Sequence, residues 1–98
     1  MHARIGRISF SPDKVGEVER HVREQIIPHY EESSGFKGFT LLVDRSGGEA
    51  AGISFWESED AMEASAELGD EARRGAAEAG SGSDQGPQHF EVIIDTMV

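Results

Sequence analysis

Residues 36–44 read FKGFTLLVD, residues 45–49 read RSGGE and residues 50–57 read AAGISFWE, and these three segments decide the fold. The two outer segments are rich in aromatic and β-branched residues, which predicts β-strands. The glycines between them supply the positive φ angles that a tight hairpin needs. We therefore expect an antiparallel β-hairpin at the centre of the chain.

Helix signals flank this hairpin on both sides. Downstream, Ser58 is placed to cap a helix whose first turn is acidic. Upstream, Ser11 and Pro12 begin a helix whose apolar residues recur at helical spacing, namely Val15, Val18, Val22 and Ile26. His29 is expected near the centre of this apolar stripe, and Pro28 predicts a kink or a tightened turn before the helix ends.

The outer strands complete the pattern. Residues 2–11 form a first strand with a bulge expected at Gly6, and residues 88–98 form a last strand after a loop over residues 80–87. Two helices between four strands in this order predict an α+β, ferredoxin-like fold. We expect a βαββαβ chain with an antiparallel four-stranded sheet, two helices on one face and a single domain over residues 1–98.

Large apolar side chains are predicted on both faces of the sheet. In the second strand, Phe36 and Leu42 are expected on one face and Phe39, Leu41 and Val43 on the other. In the third strand, Ile53 and Phe55 are expected opposite Ala50, Gly52, Ser54 and Trp56. Burying one large apolar side chain is worth roughly 1.5–3 kcal/mol, so a second sheet should cover the face that the helices leave open. The simplest cover is a second copy of the chain, which predicts a homodimer through the sheet face.

Composition limits the partners and the chemistry. The 98 residues carry a net charge of −10, which repels the phosphate backbone of nucleic acids. The apolar runs, such as residues 41–43, are far shorter than the ~20 residues of a membrane-spanning helix. The start of the sequence lacks the pattern of a secretory signal, so a cytoplasmic location is expected. Because the chain has no cysteine, disulfides, thiolate metal sites and a cysteine nucleophile are excluded.

Three motifs together resemble one protein family. They are Ile27-Pro28-His29-Tyr30, Gly35-Phe36-Lys37-Gly38-Phe39 with Leu41-Leu42-Val43-Asp44, and Ile53-Ser54-Phe55-Trp56-Glu57-Ser58-Glu59-Asp60-Ala61-Met62. In these motifs, and over roughly residues 26–66, the chain resembles the antibiotic biosynthesis monooxygenase-like proteins of the dimeric α/β-barrel superfamily. The resemblance implies a homodimeric barrel. It also implies an activity among those of the family, which includes cofactor-independent oxygenases of polyketide quinol precursors, quinol oxygenases and haem degraders.

The resemblance does not extend to the residues of the haem degraders. Those proteins use an Asn on the first strand, a Trp on the second helix and a His further along that helix. This sequence contains no Asn, has Ser65 at the approximate place of that Trp, and has no His between His29 and His89. Trp56 belongs to the common strand-end motif instead. We therefore expect neither haem degradation nor a bound cofactor.

Three residues are candidates for catalysis on an aromatic substrate. His29 is a candidate base because a neutral imidazole facing the sheet could deprotonate a phenol or an enol. Tyr30 and Arg7 are candidates for stabilising the resulting oxyanion. Each also has a structural explanation: His29 as a histidine of the core or the helix end, Tyr30 as a ring at the sheet edge with its hydroxyl in water, and Arg7 as the partner of an acidic residue.

Further residues are candidates for substrate binding. Side chains that could line a flat aromatic pocket are Trp56, Phe39, Phe55 and Phe10 on the strands, with Met62 and Ser65 from the second helix. The aromatic residues are equally explained as core. His21 and His29 lie too far apart on one helix for a metal site, and although strand pairing could bring His2 near His89, no metal is expected.

Two functions remain open on the sequence alone. One is a protein that binds a small aromatic molecule and acts as a cofactor-independent oxygenase. The other is a non-enzymatic dimeric module, for stress response or scaffolding, whose barrel is filled by its own side chains. A cavity with converging polar groups favours the first, and a filled interior favours the second.

Overall fold

The computed structural model describes residues 1–97. Its strands are β1 (His2–Ser9), β2 (Phe36–Asp44), β3 (Glu49–Trp56) and β4 (Asp84–Glu91), and its α-helices are α1 (Val15–His21), α2 (Ile27–Glu31), α3 (Glu59–Ala64) and α4 (Ala66–Ala79). The strands form one antiparallel sheet in the order β2-β3-β1-β4, and the helices pack against one of its faces. The expected ferredoxin-like α+β fold is confirmed.

The central hairpin joins β2 to β3 as the sequence predicts. Its turn is held by the Asp44 carboxylate, which accepts hydrogen bonds from the backbone N–H of Gly47 (3.0 Å) and the hydroxyl of Ser46 (3.1 Å). These bonds lower the pKa of Asp44. Gly48 has a φ of 65°, and a side chain there would collide with the carbonyl oxygen of Phe10, so glycine is required at this position.

A bulge in β2 changes which side chains share a face. Phe36 pairs with Trp56 and Gly38 pairs with Phe55, which leaves Lys37 as an extra residue. Phe36 and Phe39 consequently lie on the same face and both pack against Tyr30. The prediction that these two phenylalanines point in opposite directions is therefore wrong, because simple alternation does not hold across a bulge.

The first helical stretch is not a regular α-helix. A 3-10 turn (Pro12–Lys14) precedes α1, and a π-helical turn (Val22–Ile26) connects α1 to α2. The N–H of Ile27 bonds to the carbonyl of Val22, so the expected tightening near Pro28 is a widening instead.

This wide turn decides which residue enters the core. Val18, Val22, Ile26 and Tyr30 are all buried, whereas His29 is exposed. On a regular α-helix, residues spaced four apart move gradually off one face, because each turn holds only ~3.6 residues. The π turn holds more residues per turn, so all four buried residues stay on the same face. The prediction that His29 faces the sheet is therefore wrong, and Tyr30 takes that place.

The second helical stretch starts as expected and is then interrupted. The Ser58 hydroxyl accepts the N–H of Ala61 at 3.1 Å, which confirms the predicted N-cap of α3. The break before α4 falls at Ser65, whose hydroxyl donates to the Met62 carbonyl at 2.7 Å. This local bond competes with regular helix hydrogen bonding and separates α3 from α4.

The last strand lies earlier in the chain than predicted. β4 includes residues 84–87, which were expected in a loop, and it ends at Glu91 rather than continuing toward residue 98. Pairing begins early because Ser9 donates its N–H to the Ser83 carbonyl at 2.9 Å. The bulge expected in β1 at Gly6 is not present, because β1 pairs with β3 in unbroken register from His2 to Ser9. The register shift between Gly6 and Ile8 in the β1–β4 pairing puts the extra residue on β4, between Asp84 and Pro87. Val98, the end of the predicted strand, lies outside the described residues.

The two faces of the sheet have different surroundings. The helix-facing side carries the core, which consists of Ile8, Phe10, Val18, Val22, Ile26, Tyr30, Ala50, Trp56, Met62, Ala76 and Ala77. The opposite side, called the open face below, presents the alternate strand positions Ala3, Ile5, Arg7, Thr40, Leu42, Ala51, Ile53, Phe55, Gln88 and Phe90. Within residues 1–97, no helix has the length and apolar character that a membrane crossing requires.

Candidate functional site

A small cavity of about 50 Å³ lies between the helices and the sheet. Its walls are mostly apolar and include Ile8, Val18, Val22, Ile26, Phe39 and Leu41. Four polar side chains also line it, namely Arg4, Tyr30, Ser54 and Arg73. A space of this size holds a few water molecules and no aromatic ring.

Arg4 is a buried cation on β1, with 4% of its surface exposed. Its guanidinium donates to the Ser65 hydroxyl at 3.1 Å and to the Met62 carbonyl at 2.5 Å, both at the α3–α4 break. Gly69 of α4 makes room for it, because a side chain there would begin 2.7 Å from Nη1 of Arg4. No carboxylate of residues 1–97 forms an ion pair with Arg4, so protein groups solvate its charge without neutralising it.

Tyr30 of α2 is a buried phenol within an aromatic cluster. Its ring stacks on Phe36 (centroids 5.6 Å apart), lies 5.9 Å from Phe39 and meets Trp56 edge-on at 5.6 Å. Burial raises the pKa of Tyr30, although its neighbours Arg4 and Ser54 act in the opposite direction. Tyr30 is therefore a neutral hydrogen-bond donor at neutral pH rather than a base.

Arg73 brings a second guanidinium to the cavity from α4. Its side chain is 9% exposed; Nε donates to Asp84 of β4, and Nη2 donates to Asp70 at 2.9 Å. Burial acts to lower the pKa of Arg73, but the hydrogen bonds with the two carboxylates outweigh it and raise the pKa. Nη1 is buried and has no hydrogen-bond partner among the described residues.

An open cleft of about 510 Å³ adjoins the cavity on the side of α3 and β4. It is lined by His2, Arg4, Glu59, Met62, Glu63, Ala66, His89, Phe90 and Glu91. Arg4 borders both spaces and is the wall that they share. Nε2 of His2 lies 3.4 Å from the Glu59 carboxylate, while its buried Nδ1 has no partner in the described part of the chain. No group of three metal-ligating side chains occurs within residues 1–97.

The structure separates the three residues predicted for catalysis. Tyr30 lines the cavity, but His29 is exposed on the outer side of α2. Arg7 lies on the open face, where its Nε donates to Gln88 of β4 at 2.9 Å. Arg7 therefore has a partner across the sheet, as in the structural explanation given above. That partner is the side-chain amide of Gln88 rather than an acidic residue.

The residues predicted for substrate binding are also divided. Phe39 lines the cavity, Met62 lines the cleft, and Ser65 contacts Arg4. Trp56 is fully buried in the core and donates its Nε1 hydrogen to Ser54 at 2.9 Å. The other two phenylalanines lie apart from the cavity wall, Phe10 in the core beside Gly80 and Phe55 on the open face.

Arg4, Ser54 and Arg73 were not identified from the sequence, and His2 was considered only as a possible neighbour of His89 in a metal site. Arg4 was missed because a bulge was expected at Gly6; β1 alternates regularly there, so Arg4 shares the face of Ile8 and Phe10. Ser54 alternates with Trp56 in the same way. Arg73 carried no such signal, because its contact with Asp84 depends on where β4 begins.

Comparisons with known proteins place these features in context. A family model described as antibiotic biosynthesis monooxygenase matches residues 1–77. The chain is also 39% identical over 67 residues to Uncharacterized protein Rv2558 of Mycobacterium tuberculosis. That match covers 68% of this chain and 28% of the relative, so the chain spans well under half of the relative's length.

Solved structures of the same fold include a haem degrader and a cofactor-independent oxygenase. The haem degrader MhuD from Mycobacterium tuberculosis, solved with two haems in its active site, has a TM-score of 0.69 and 26% identity, over 99% of this chain and 100% of that one. A mutant of SnoaB, a cofactor-independent oxygenase from Streptomyces nogalater, has a TM-score of 0.66 over 97% of this chain and 95% of that one. At 18% identity, the likeness to SnoaB shows the fold alone.

Proposed function

Because the chain belongs to the antibiotic biosynthesis monooxygenase family, we propose that it binds a phenolic or quinol-like aromatic molecule and oxygenates it without a cofactor. The observation that carries the proposal is Arg4, a buried guanidinium without a carboxylate partner among residues 1–97. An uncompensated buried cation is costly, and a bound anion would relieve that cost. A phenolate is the anion that suits this chemistry.

The adjoining spaces support a defined pose for such a ligand. The cleft has a volume of about 510 Å³, within the ~300–1,000 Å³ of small-molecule sites, whereas the inner cavity is too small for a ring. The ring therefore occupies the cleft beside Met62 and His89, with its hydroxyl group directed at Arg4. Tyr30 and Ser54 lie beyond Arg4 on the cavity side and complete the polar end.

Arg4 would activate the substrate by favouring its ionised form. A cation in a water-poor site lowers the pKa of a neighbouring phenol and stabilises the oxyanion that forms. His2 is the proposed proton acceptor, since it lines the same cleft two residues before Arg4 and is oriented by Glu59. The electron-rich ring carbon then bonds to O2, and loss of water from the hydroperoxide leaves a quinone. One phenol and one O2 thereby give one quinone and one water.

The wall of the inner cavity that α4 forms offers no ligand for a haem iron. The side of α4 that lines the cavity presents Gly69, Ala72, Arg73 and Ala76, none of which ligates iron. His21 is close to α4 but packs against Gly75, where a side chain would begin 2.5 Å from its Nε2.

The proposal is tested with 1-naphthol as substrate and Arg4→Met as the variant. Oxygen consumption and quinone formation are followed in metal-free buffer, and the variant is expected to lose about 100-fold or more in kcat/KM, as when an oxyanion donor is removed. Arg7→Met is the matched control, because it makes the same change on the open face of the same strand. Equal rates for Arg4→Met and wild type would contradict the proposal.

The small inner cavity favours a second function, a non-enzymatic dimeric module with a filled interior. The same experiment distinguishes the two functions. If wild-type protein neither binds nor oxidises naphthols while Arg4→Met unfolds more easily, Arg4 has a structural role and the module is the better account.

We also propose that two copies associate through the open face. The two inner strands carry Ile5, Ile53 and Phe55 at the centre of this face, and Leu42 adjoins them on the edge strand β2. The acidic residues Asp44 and Glu49 lie only at its hairpin end. After β4, Ile93 and Ile94 are more than three-quarters exposed in the single chain. A second copy would cover these side chains, and the net charge of −10 would remain outside the contact.

A further inference from the structure

The cleft beside Arg4 carries opposite charges at its base and on its walls. Among the described residues that line it, Arg4 has the one permanent positive charge, whereas the carboxylates of Glu59, Glu63 and Glu91 are exposed on the walls. Glu59 contacts His2, while Glu63 and Glu91 form no ion pair within residues 1–97. Two carboxylates of the cleft are therefore free to meet a charged group of a ligand.

These carboxylates come from both sides of the cleft. Glu59 and Glu63 lie one turn apart on α3, and Glu91 lies at the end of β4, where it pairs with His2 of β1. Because His2 precedes Arg4 by two residues of one strand, Glu91 lies about 7 Å along the sheet from Arg4. A phenol whose hydroxyl group contacts Arg4 can span this distance with a two-carbon side chain in the para position.

Two polar groups at the base of the cleft indicate a ligand independently of the wall carboxylates. Arg4 is 4% exposed and has no carboxylate partner in the described chain. His2 has a buried Nδ1 without a hydrogen-bond partner in the same part of the chain. The hydroxyl end of a phenol would satisfy both groups, and the opposite end of the ring would then face the walls.

A phenolate on Arg4 would cancel the positive charge that offsets the wall carboxylates. Glu63 and Glu91 would then face the para substituent without a counter-ion, so they would attract a cationic substituent and repel an anionic one. Water screens charges at exposed positions, so the preference amounts to a severalfold difference in affinity.

We infer that the cleft selects phenols that carry a positively charged amino group, and that Glu63 and Glu91 are its specificity-determining residues. This inference rests on the proposed function, since it places the phenol hydroxyl group at Arg4. The site then accepts a hydroxyphenyl alkylamine and discriminates against a hydroxyphenyl carboxylate of similar shape.

The test uses three phenols of similar shape that differ in the charge of the para side chain. Tyramine is positively charged, tyrosol is neutral and 4-hydroxyphenylacetate is negatively charged. Dissociation constants are measured by calorimetry at neutral pH for wild type and for the double variant Glu63→Gln/Glu91→Gln. Wild type is expected to bind tyramine most tightly and 4-hydroxyphenylacetate most weakly. The double variant is expected to bind tyramine about fivefold more weakly and tyrosol as wild type does.

Glu71→Gln/Glu78→Gln is the matched control, because it removes the same two charges from exposed positions of α4 outside the cleft. It should bind all three phenols as wild type does, which separates a local contact from the general attraction of cations by a net charge of −10. Raising the salt concentration should reduce the tyramine preference of wild type, because salt screens exposed charges.

The possible failures are distinguishable. Tyrosol binding as tight as tyramine binding in wild type would overturn the inference and leave the proposed function in place. A tyramine preference that survives in the double variant, or that the control variant loses equally, would overturn the assignment to Glu63 and Glu91. If wild type binds none of the three phenols, the proposed function itself fails.

Discussion

Two glycine residues each give an arginine room in the interior. Gly69 lies against the guanidinium of Arg4, and Gly6 lies beneath the side chain of Arg73. The space at Gly69 is the tighter of the two, because a Cβ there would come within 2.7 Å of Nη1 of Arg4, whereas the corresponding distance at Gly6 is an ordinary contact. Glycine at position 69 is therefore required by the neighbouring arginine rather than by backbone conformation.

Gly69→Ala is expected to lower the Tm of the protein. Alanine gains about 1 kcal/mol in helix propensity, but the clash with Arg4 costs about 1–3 kcal/mol and moves the guanidinium away from Met62 and Ser65. Gly16→Ala is the matched control on α1, where a new Cβ meets nothing within 4 Å, and it should raise the Tm. Thermal denaturation of both variants checks this, and a Gly69→Ala protein as stable as Gly16→Ala would contradict the contact.

At the scale of elements, the sequence predicts whether a segment is a helix or a strand better than it predicts which side chains face the core. The hairpin and the Ser58 cap follow from local chemistry and are confirmed. His29 and Phe36 were assigned to the wrong faces because single extra residues, one in the π turn and one at Lys37, shift everything beyond them. Steps of four from Val18 to Ile26 were the available sign of a wide turn. The three-residue spacing of Phe36 and Phe39, with Gly38 between them, was the available sign of the bulge.

The candidate site follows the same pattern. Tyr30, Phe39, Met62 and Ser65 were identified because they belong to motifs or apolar positions. Arg73 was missed because its role depends on Asp84, which the composition of residues 80–87 assigned to a loop. When the predicted start of a strand is wrong, a side chain whose partner lies in that strand cannot be identified from the local sequence pattern.

The Arg73–Asp84 contact joins α4 to the edge strand β4, and this contact makes stability depend on pH. Burial acts to raise the pKa of Asp84, but its bonds with Arg73 and the Gly86 N–H outweigh it and lower the pKa below 3.8. A lowered folded-state pKa means that the stabilisation is complete above the unfolded-state pKa and is lost as the pH falls through the folded-state value.

Asp84→Asn is therefore expected to be less stable than wild type at pH 7 by about 1–2 kcal/mol, which is less than the ~1.5–3 kcal/mol of a hydrogen bond to a charged group because water screens this exposed carboxylate. The difference should shrink as the pH falls below 4, because Asp84 then takes up a proton in the unfolded chain while the folded chain still resists protonation. Urea denaturation at several pH values checks this, with Asp13→Asn as the control for loss of an exposed carboxylate. A difference that stays constant down to pH 2 would show that Asp84 does not titrate in this way.

At the scale of the whole molecule, charge and apolar surface are separated. The chain has 19 acidic residues, yet the centre of the open face carries none, and Arg7 is its one charged side chain among the positions described. A face of this kind is suited to contact with an identical face, since strong charge on both copies would otherwise keep them apart.

If two copies associate through the open face as proposed, Leu42→Glu is expected to shift the protein from dimer toward monomer. Leu42 is 53% exposed in the single chain, and a two-fold contact would bring two new carboxylates into one apolar interface. Gln25→Glu adds the same charge at an exposed helical position and should leave the assembly unchanged. Analytical ultracentrifugation over a range of concentrations distinguishes the two variants, and a wild-type monomer at all concentrations would remove the basis of the prediction.

The wide turn over residues 22–26 also has a genetic consequence. A π turn inside an α-helix accommodates one extra residue while the helix on each side keeps its facing. Losing one codon within residues 22–26 would restore a regular helix and still leave the tyrosine directed at the cavity. Relatives with a regular first helix should therefore align with a one-residue gap here. An ungapped alignment would pair their buried residue with the exposed His29 and assign the interior position to the wrong amino acid.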